Sequence, residues 1–430
     1  MTRIRSRLVP VKRGASQTPS PTFWAPFTDS GSGVLNTTLS RGTGSITWTR
    51  AGATATTILS TGLVSSTIAA NTGRSYYDPT TLQYLGGLLE EARTNLCLQS
   101  QALDDAAWTK ANSTITANAI SSPDGTTTAD KIVENTATAA HLAVSSFGTI
   151  TANATCTVSA FVKSGERARI RIDLADAGVN GCQALFNLGT VSVTSSGALG
   201  TGTYTSSSIT AFPNGWFRLV VTGKVDAAAV SAGIRILLAD GAGSISYTGD
   251  GSSGAYAWGA QLEAGAFATS YIPTTAATVT RAADVATCPI SGNIDQTVGS
   301  AFCRFMVAQQ NPSVGQSCIS NDSGAGIGYI YVPAAASTLI STYDGTTVTS
   351  SGVVSDFRGI PTRAAASWGG ATKSIYVNGS NKGSGAFDGS YNGTVLYIGN
   401  SGASNVLNGC IRDIRIWQRV LSDSQIASIR

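Results

Sequence analysis

Hydrolysis by an activated nucleophile needs a base beside that nucleophile, and the 430 residues contain a single histidine, His141. It sits in Ala139-Ala140-His141-Leu142-Ala143 with no nucleophile elbow nearby, so it reads as a surface or strand histidine with no proton to transfer. One histidine cannot form a His pair on a metal, and no H-E-x-x-H stretch occurs. The seven cysteines, Cys97, Cys156, Cys182, Cys288, Cys303, Cys318 and Cys410, form no C-x-x-C pair. Zinc knuckles and dithiol redox motifs are therefore unsupported, and the thiols read as small buried apolar groups. Paired carboxylates for glycoside cleavage stay open, because any two of the 24 acidic residues could meet in space. The obvious pair, Glu90-Glu91, precedes Arg93 in a stretch that reads as structural. No phosphate-cradling glycine fingerprint is present. No catalytic residue, metal or cofactor is expected.

Aromatic side chains are the better place to look for chemistry. Sugar rings present apolar C–H faces that stack on flat aromatic rings. Of the seven tryptophans, Trp216 and Trp258 fall in strand contexts and read as core, while Trp108 follows a short acidic loop and is left open. Trp368 precedes Gly369-Gly370 at a turn, where partial exposure is expected. Tyr343-Asp344-Gly345 would offer an aromatic ring and a carboxylate on a second loop. Trp368, Tyr343 and Asp344 are thus the candidate glycan-binding residues. Asp250-Gly251 and Asp388-Gly389 could supply loop oxygens to calcium, but Asp-Gly is more often a plain turn, and no metal site is assigned.

The elements that must position these residues are strands. Charged residues make up only 12% of the chain against 42% apolar, and 48 residues are glycine, a balance that suits short strands and tight turns and argues against disorder. Ala168, Ile170, Ile172 and Leu174 alternate with Arg167, Arg169, Arg171 and Asp173, as on a strand with one buried face. Phe217, Leu219 and Val221 repeat the pattern after the turn Pro213-Asn214-Gly215. Ile234, Ile236 and Leu238 repeat it before Asp240-Gly241, and Cys156, Val158, Ala160 and Val162 form a further apolar face. In 302–307 both faces are apolar. Asn378-Gly379 is a strong hairpin signal. Ser422 with Gln425 makes a capping box for one short helix over 422–429, with Leu421 poised to staple onto Ile426. Strand after strand without intervening helices predicts an all-β chain of tandem antiparallel β-sandwich or jelly-roll domains with an N-terminal arm. The expected divisions are an arm over 1–25, a small β region over 26–84, a jelly roll over 85–275, a linker over 276–287 and a second sandwich over 288–430.

Arg3, Arg5, Arg7, Lys12 and Arg13 precede the first acidic residue, Asp29, and Pro10, Pro19 and Pro21 break regular structure. Such a segment cannot bury enough apolar area to fold alone, and is expected to anchor on an acidic partner surface. A net charge of +4 implies no specific nucleic-acid binding by the whole chain. No run of eighteen apolar residues predicts a transmembrane helix, and Pro10 interrupts the only candidate signal-peptide core, so synthesis in a cytoplasm without export by that route is expected.

Two stretches carry a resemblance. Ser374-Ile-Tyr-Val-Asn-Gly379, Leu396-Tyr-Ile-Gly399, Leu407-Asn-Gly-Cys-Ile-Arg-Asp-Ile-Arg-Ile-Trp417 and Leu421-Ser422-Asp423 together resemble the concanavalin A-like, laminin-G-like lectin fold over the last 140 residues or so. The second is a series: Gly86-Gly-Leu-Leu-Glu-Glu-Ala-Arg-Thr-Asn-Leu96, Ala107-Trp-Thr-Lys110, Pro123-Asp-Gly-Thr-Thr-Thr-Ala-Asp130, Gly215-Trp-Phe-Arg218, Trp258-Gly-Ala-Gln-Leu-Glu-Ala-Gly265, Ala268-Thr-Ser-Tyr-Ile-Pro273 and Arg281-Ala-Ala-Asp284. It is similar to modules of phage tail-fibre and minor virion proteins that resemble carbohydrate-binding jelly rolls. That resemblance implies a bacteriophage virion structural protein, a fibre, collar or head-decoration component that touches host-surface glycans. The arm would dock it on other virion proteins, and it would act as a homotrimer on the particle surface. A free carbohydrate-binding adhesin is the alternative, and a glycan-degrading enzyme the third reading.

Overall fold

A computed structural model describes residues 18–308, 315–322, 328–334, 338–388, 391–402 and 405–429. The five basic residues of the expected arm lie outside them. Strands dominate, joined by turns; the described residues contain one α-helix, Asp423–Ala427, and one 3-10 turn, Pro213–Gly215. The all-β expectation holds, and the sheets pair antiparallel throughout.

Two sandwiches are present, one inserted into the other. The inserted unit is a jelly roll. One of its sheets runs Thr203–Phe212, Trp216–Lys224, Cys156–Ser164, Gly254–Ala264, Ala129–Glu134, Ser113–Ile120. The facing sheet runs Ser192–Leu199, Gly181–Asn187, Arg169–Ala175, Ser231–Ala239, Leu142–Ser145, Trp108–Ala111, with Gly148–Thr149 also on Ser231–Ala239. The apolar halves of the alternating strands meet between them. Ile170, Ile172, Leu174, Val158, Val162, Leu219, Val221, Ile234 and Leu238 share one core. Trp108, left open by the sequence, is buried in it.

The outer sandwich draws its strands from both sides of that insertion. Its larger sheet runs Ser380–Ala386, Thr372–Val377, Thr362–Gly369, Gly299–Val307, Gly409–Trp417, Tyr84–Leu89, Arg74–Tyr77, with Phe23–Ala25 also paired to Gly409–Trp417. The other runs Val348–Ser350, Ser341–Tyr343, Gly328–Val332, Gln316–Asn321, Val395–Ile398, Val285–Pro289, Thr47–Thr49. Phe23, Phe27, Trp48 and Leu89 pack into the same core as Cys303, Ile319, Ile375 and Ile414.

Three expected divisions are corrected by these pairings. The region 26–84 is not a small unit of its own, because Thr47–Thr49 and Arg74–Tyr77 lie in the sheets of the C-terminal sandwich. Residues 18–25, expected in the arm, are docked on the outer sandwich: Trp417 Nε1 donates to Pro19 O at 2.7 Å, and Phe23 is fully buried. The stretch 276–287 is not a free linker. Val279–Arg281 pairs with Arg93–Asn95, Val285–Pro289 is a sheet strand, and Arg281 and Asp284 are buried.

Signals confined to a few residues hold in the structure. Thr372–Val377 and Ser380–Ala386 form a hairpin whose turn has Asn378 at φ 50° and Gly379 at φ 84°, the positive values a primed turn demands. The capping box is made in both directions, Ser422 Oγ accepting from Gln425 N and Gln425 Oε1 from Ser422 N. Leu421 and Ile426 then bury with Trp417 against Phe302 and Tyr376. All seven cysteines are buried and unpaired, and burial pushes the Cys97 and Cys182 thiols up to about 12.

Candidate functional site between the two sandwiches

The residues singled out for sugar stacking do not form an open site. Trp368 lies on the same inward face of its strand as Ala364 and Ala366, is 1% exposed, and packs on Tyr329 and Tyr391 with ring centroids 5.1 and 5.3 Å away. Its Nε1 donates to Asp295 O at 3.0 Å. Its cross-strand partner is Gly299, where a Cβ would come within 2.3 Å of the indole. The expected partial exposure is thus corrected: the glycines after Trp368 turn the chain, but the pleat points the ring inward. Asp344 is buried, caps Thr346 N and Thr347 N at 3.0 and 2.7 Å, and pairs with buried Lys373 at 2.5 Å. Tyr343 is half-buried and its hydroxyl donates to Gly345 O at 2.7 Å. These groups hold a loop together.

His141 is likewise buried rather than on the surface. Its ring lies between Asn112 O at 2.7 Å and Tyr247 O at 3.2 Å, against the Tyr247 ring. Trp216 and Trp258 are buried as expected, but outside the jelly-roll core. They stand on the other face of their sheet, in a cluster with Phe161 and Tyr271 that Ile58 and Val64 of the preceding segment cover. Gly259, at φ 63°, makes the bulge that leaves Trp258 on this face while Ala260 and Leu262 turn into the core.

That second face is where the molecule has a cleft, a cavity of about 630 Å³ between the jelly roll and the outer sandwich. Ligand pockets span roughly 300–1,000 Å³. Its floor follows from period-2 alternation. Ile209, Leu219 and Val221 turn into the core, so Ser206, Ser208, Thr210 and Phe212 on one strand and Arg218, Val220 and Thr222 on the next turn outward. The opposite wall is apolar, from Tyr76, Leu85, Leu88, Met306 and Cys410. The segment 266–271 and Glu90 close one end. Ser206, Ser208 and Thr210 are exposed and Phe212 and Tyr76 are half-buried, so hydroxyls and two aromatic rings meet the open space.

Two arginines line the cleft, Arg358, which pairs with Asp356, and Arg218. Arg218 Nη2 donates to Ser159 Oγ at 3.0 Å, and its guanidinium lies 5.5 Å from the centre of the Phe161 ring. Its Nε is buried without a protein partner. Burial pushes the guanidinium down from its ordinary value, with Glu263 the largest opposing influence. The sequence placed Arg218 on the polar face of an amphipathic strand; nothing local said that another domain roofs that face.

Beside the cleft lies a buried ionic junction. Asp284 Oδ1 accepts from Arg50 Nη1 at 2.9 Å, and its Oδ2 accepts from Arg74 Nη2 and from Glu90 N at 3.0 Å. Glu90 Oε2 takes Arg281 Nη1 at 2.7 Å and Arg74 Nη1 at 2.9 Å, and its two oxygens accept Ser270 N at 2.7 Å and Ser270 Oγ at 2.6 Å. The groups come from 50–74, 90, 270 and 281–284, the points where the chain passes between the sandwiches. Asn95 adds neutral bonds there, donating to Ala260 O and Ile272 O and accepting from Leu262 N.

Burial alone pushes the Glu90 carboxyl up, but Arg281 and Arg74 outweigh it and hold the group at about 2. A carboxyl held low stabilises the fold fully above its unfolded value near 4.5 and ceases to do so as pH falls toward 2. Thermal melts between pH 5 and pH 2 should show a steep loss of stability, shallower in Glu90→Gln. Equal slopes would assign the acid sensitivity to other carboxylates.

Residues 283–427, about a third of the chain, match the family model of the concanavalin A-like lectin/glucanases superfamily. No curated protein sequence matches the chain. Among solved structures, Trypanosoma rangeli sialidase in complex with sialic acid is 9% identical at a TM-score of 0.25, with 69% of this chain and 59% of the sialidase covered. The chain thus spans less than two thirds of that enzyme's length. Mouse laminin alpha1 chain domains LG4-5 are 12% identical at a TM-score of 0.23, covering 68% of this chain and 90% of that one. Scores this low carry no argument about activity or ligand. What the family match adds to the strand pairing is that the outer sandwich is similar to concanavalin A-like, laminin-G-like domains, in this chain completed by strands from before residue 90.

Proposed function

We propose that this protein is a non-enzymatic structural component of a bacteriophage particle, which holds a host-surface glycan in the cleft between jelly roll and outer sandwich. The observation that carries the glycan part is the floor of that cleft, a sheet face bearing Ser206, Ser208, Thr210 and Arg218 beside the half-buried ring of Phe212, with the half-buried ring of Tyr76 on the opposite wall. Hydroxyls and a guanidinium bond sugar hydroxyls, while aromatic rings take the apolar faces of the sugar. The virion part rests on the resemblance of the series from Gly86 to Asp284 to phage modules. Much of that series builds the junction, since Glu90, Asn95, Ser270, Arg281 and Asp284 all belong to it. On this reading the basic arm anchors the chain to other virion proteins, and a homotrimer raises the effective affinity of a weak sugar site by avidity.

Thr210→Trp tests the site. Thr210 is exposed on the cleft floor, so an indole there would fill the space without entering a core. Glycan-array binding should drop at least tenfold in the variant with an unchanged melting temperature. Unchanged binding would move the glycan site away from the cleft. Mass spectrometry of purified particles should find the chain at stoichiometric copy number, and its absence there would end the virion reading.

A further inference from the structure

Of the two arginines that line the cleft, Arg358 pairs with Asp356, whereas half-buried Arg218 makes no ion pair among the described residues. Arg50, Arg74 and Arg281 pair with Asp284 or Glu90, Arg167 with Glu134, and Arg171 and Arg235 with Asp173. Arg218 has one hydroxyl bond and one aromatic face, and among the described residues no carboxylate forms an ion pair with it. The two acids that act on it from nearby are already engaged. Both oxygens of Glu263 accept from Thr269, Oε2 from the amide at 3.0 Å and Oε1 from the hydroxyl at 2.5 Å. Glu90 is saturated by Arg74, Arg281 and Ser270. Neutral donors leave the charge of Glu263 in place, and it offsets part of the Arg218 charge through space, but neither acid bonds the guanidinium. A half-buried guanidinium that lacks an ion pair would gain from an external anion that bonds it directly.

We propose that the cleft selects an anionic glycan, the acidic substituent of one sugar pairing with Arg218 while neighbouring hydroxyls meet Ser208 and Thr210. This rests on the glycan reading above and narrows it to a class. A planar guanidinium fork matches a carboxylate or a sulfate, so the recognised sugar carries one of these groups, as a hexuronate or a sulfated hexose does. The wall formed by Leu85, Leu88 and Met306 lowers the local dielectric on the far side and strengthens the pairing.

Three oligosaccharides of equal length titrated against the full chain test this: oligogalacturonate, a sulfated galacto-oligosaccharide and the neutral galacto-oligosaccharide. The expected result is that one or both anionic probes bind roughly tenfold to a hundredfold tighter than the neutral one, the range for a hydrogen-bonded charge. Which of the two wins names the acidic group. In Arg218→Gln the preference should vanish while weak neutral binding persists, and Arg218→Lys should restore part of it. Ligand-free Arg218→Gln should melt no lower than wild type, because it removes a half-buried charge that no ion pair holds; a merely structural arginine would give a lower melting temperature. A neutral probe that binds as well as the anionic ones, or an anion preference that survives Arg218→Gln, overturns the inference and leaves the cleft as a glycan site. Binding of all three unaltered by Thr210→Trp overturns the cleft reading and this one with it. Failure of all three to bind at millimolar concentration also overturns the inference.

Discussion

Asp284→Ala should lower the stability of this protein by about 3–5 kcal/mol, the range for removing one partner of a buried ion pair. Asp284 is fully buried and meets Arg50, Arg74 and the Glu90 amide at once. Its loss leaves three buried arginines with Glu90 as their one remaining carboxylate, and frees a buried backbone N–H. The effect should be larger than that of Asp344→Ala, which breaks a pair with Lys373 near a loop. Because Arg74, which Asp284 pairs, also donates to Ser270 Oγ on the jelly-roll side at 2.9 Å, urea unfolding of Asp284→Ala should also lose coincidence between probes placed in the two sandwiches. A loss under 1 kcal/mol, with one coincident transition, would show that the two units are held by apolar packing alone.

The segment 283–430, expressed by itself, should fail to fold cooperatively, although it contains the whole stretch that matches the family model. Without residues 18–91 its larger sheet loses Phe23–Ala25, Arg74–Tyr77 and Tyr84–Leu89, and its other sheet loses Thr47–Thr49. Phe23, Phe27, Trp48 and Leu89 leave the core together. At about 1.5–3 kcal/mol for each fully buried large side chain, the loss is roughly 6–12 kcal/mol, comparable with the whole stability of an ordinary domain. Uncovered edges at Gly409–Trp417 and Val285–Pro289 would then invite aggregation. Co-expression of 18–95 as a separate chain should recover soluble material. A soluble 283–430 with a sharp thermal transition would show that the early strands decorate a sandwich that is complete without them. The segment 96–279 closes its own core and should fold alone.

Much of the local structure was legible in the residues. Alternation is a property of one strand, so Ile170, Ile172 and Leu174 announced their buried face without reference to anything distant. The Asn378-Gly379 turn and the Ser422 capping box are likewise decided within a few residues, by φ preferences and by hydrogen bonds that reach one turn. The burial of Trp216 and Trp258 followed from their strand contexts. The partial exposure expected of Trp368 fails because its parity with Ala364 and Ala366, which points the ring inward, outweighs the two glycines that follow it.

Tertiary structure decided the rest. A strand's sequence states that it has an apolar face but not which distant strand will lie against it, because an antiparallel ladder forms through backbone groups that every residue carries. Phe23–Ala25 therefore gave no sign that it would pair almost 400 residues away with Gly409–Trp417, nor Thr47–Thr49 with Val285–Pro289. The charged stretch from Arg281 to Asp284 looked like a solvated linker, since composition cannot distinguish an exposed charge from one whose partners arrive from residues 50, 74 and 90. Arg218 belonged to a wet face until the outer sandwich was laid over it. What the chain encodes locally is which atoms seek water and which avoid it. Where two such faces come together, and so where a cleft with an unpaired cation is left, depends on long-range pairing that brings separated stretches of chain to one place.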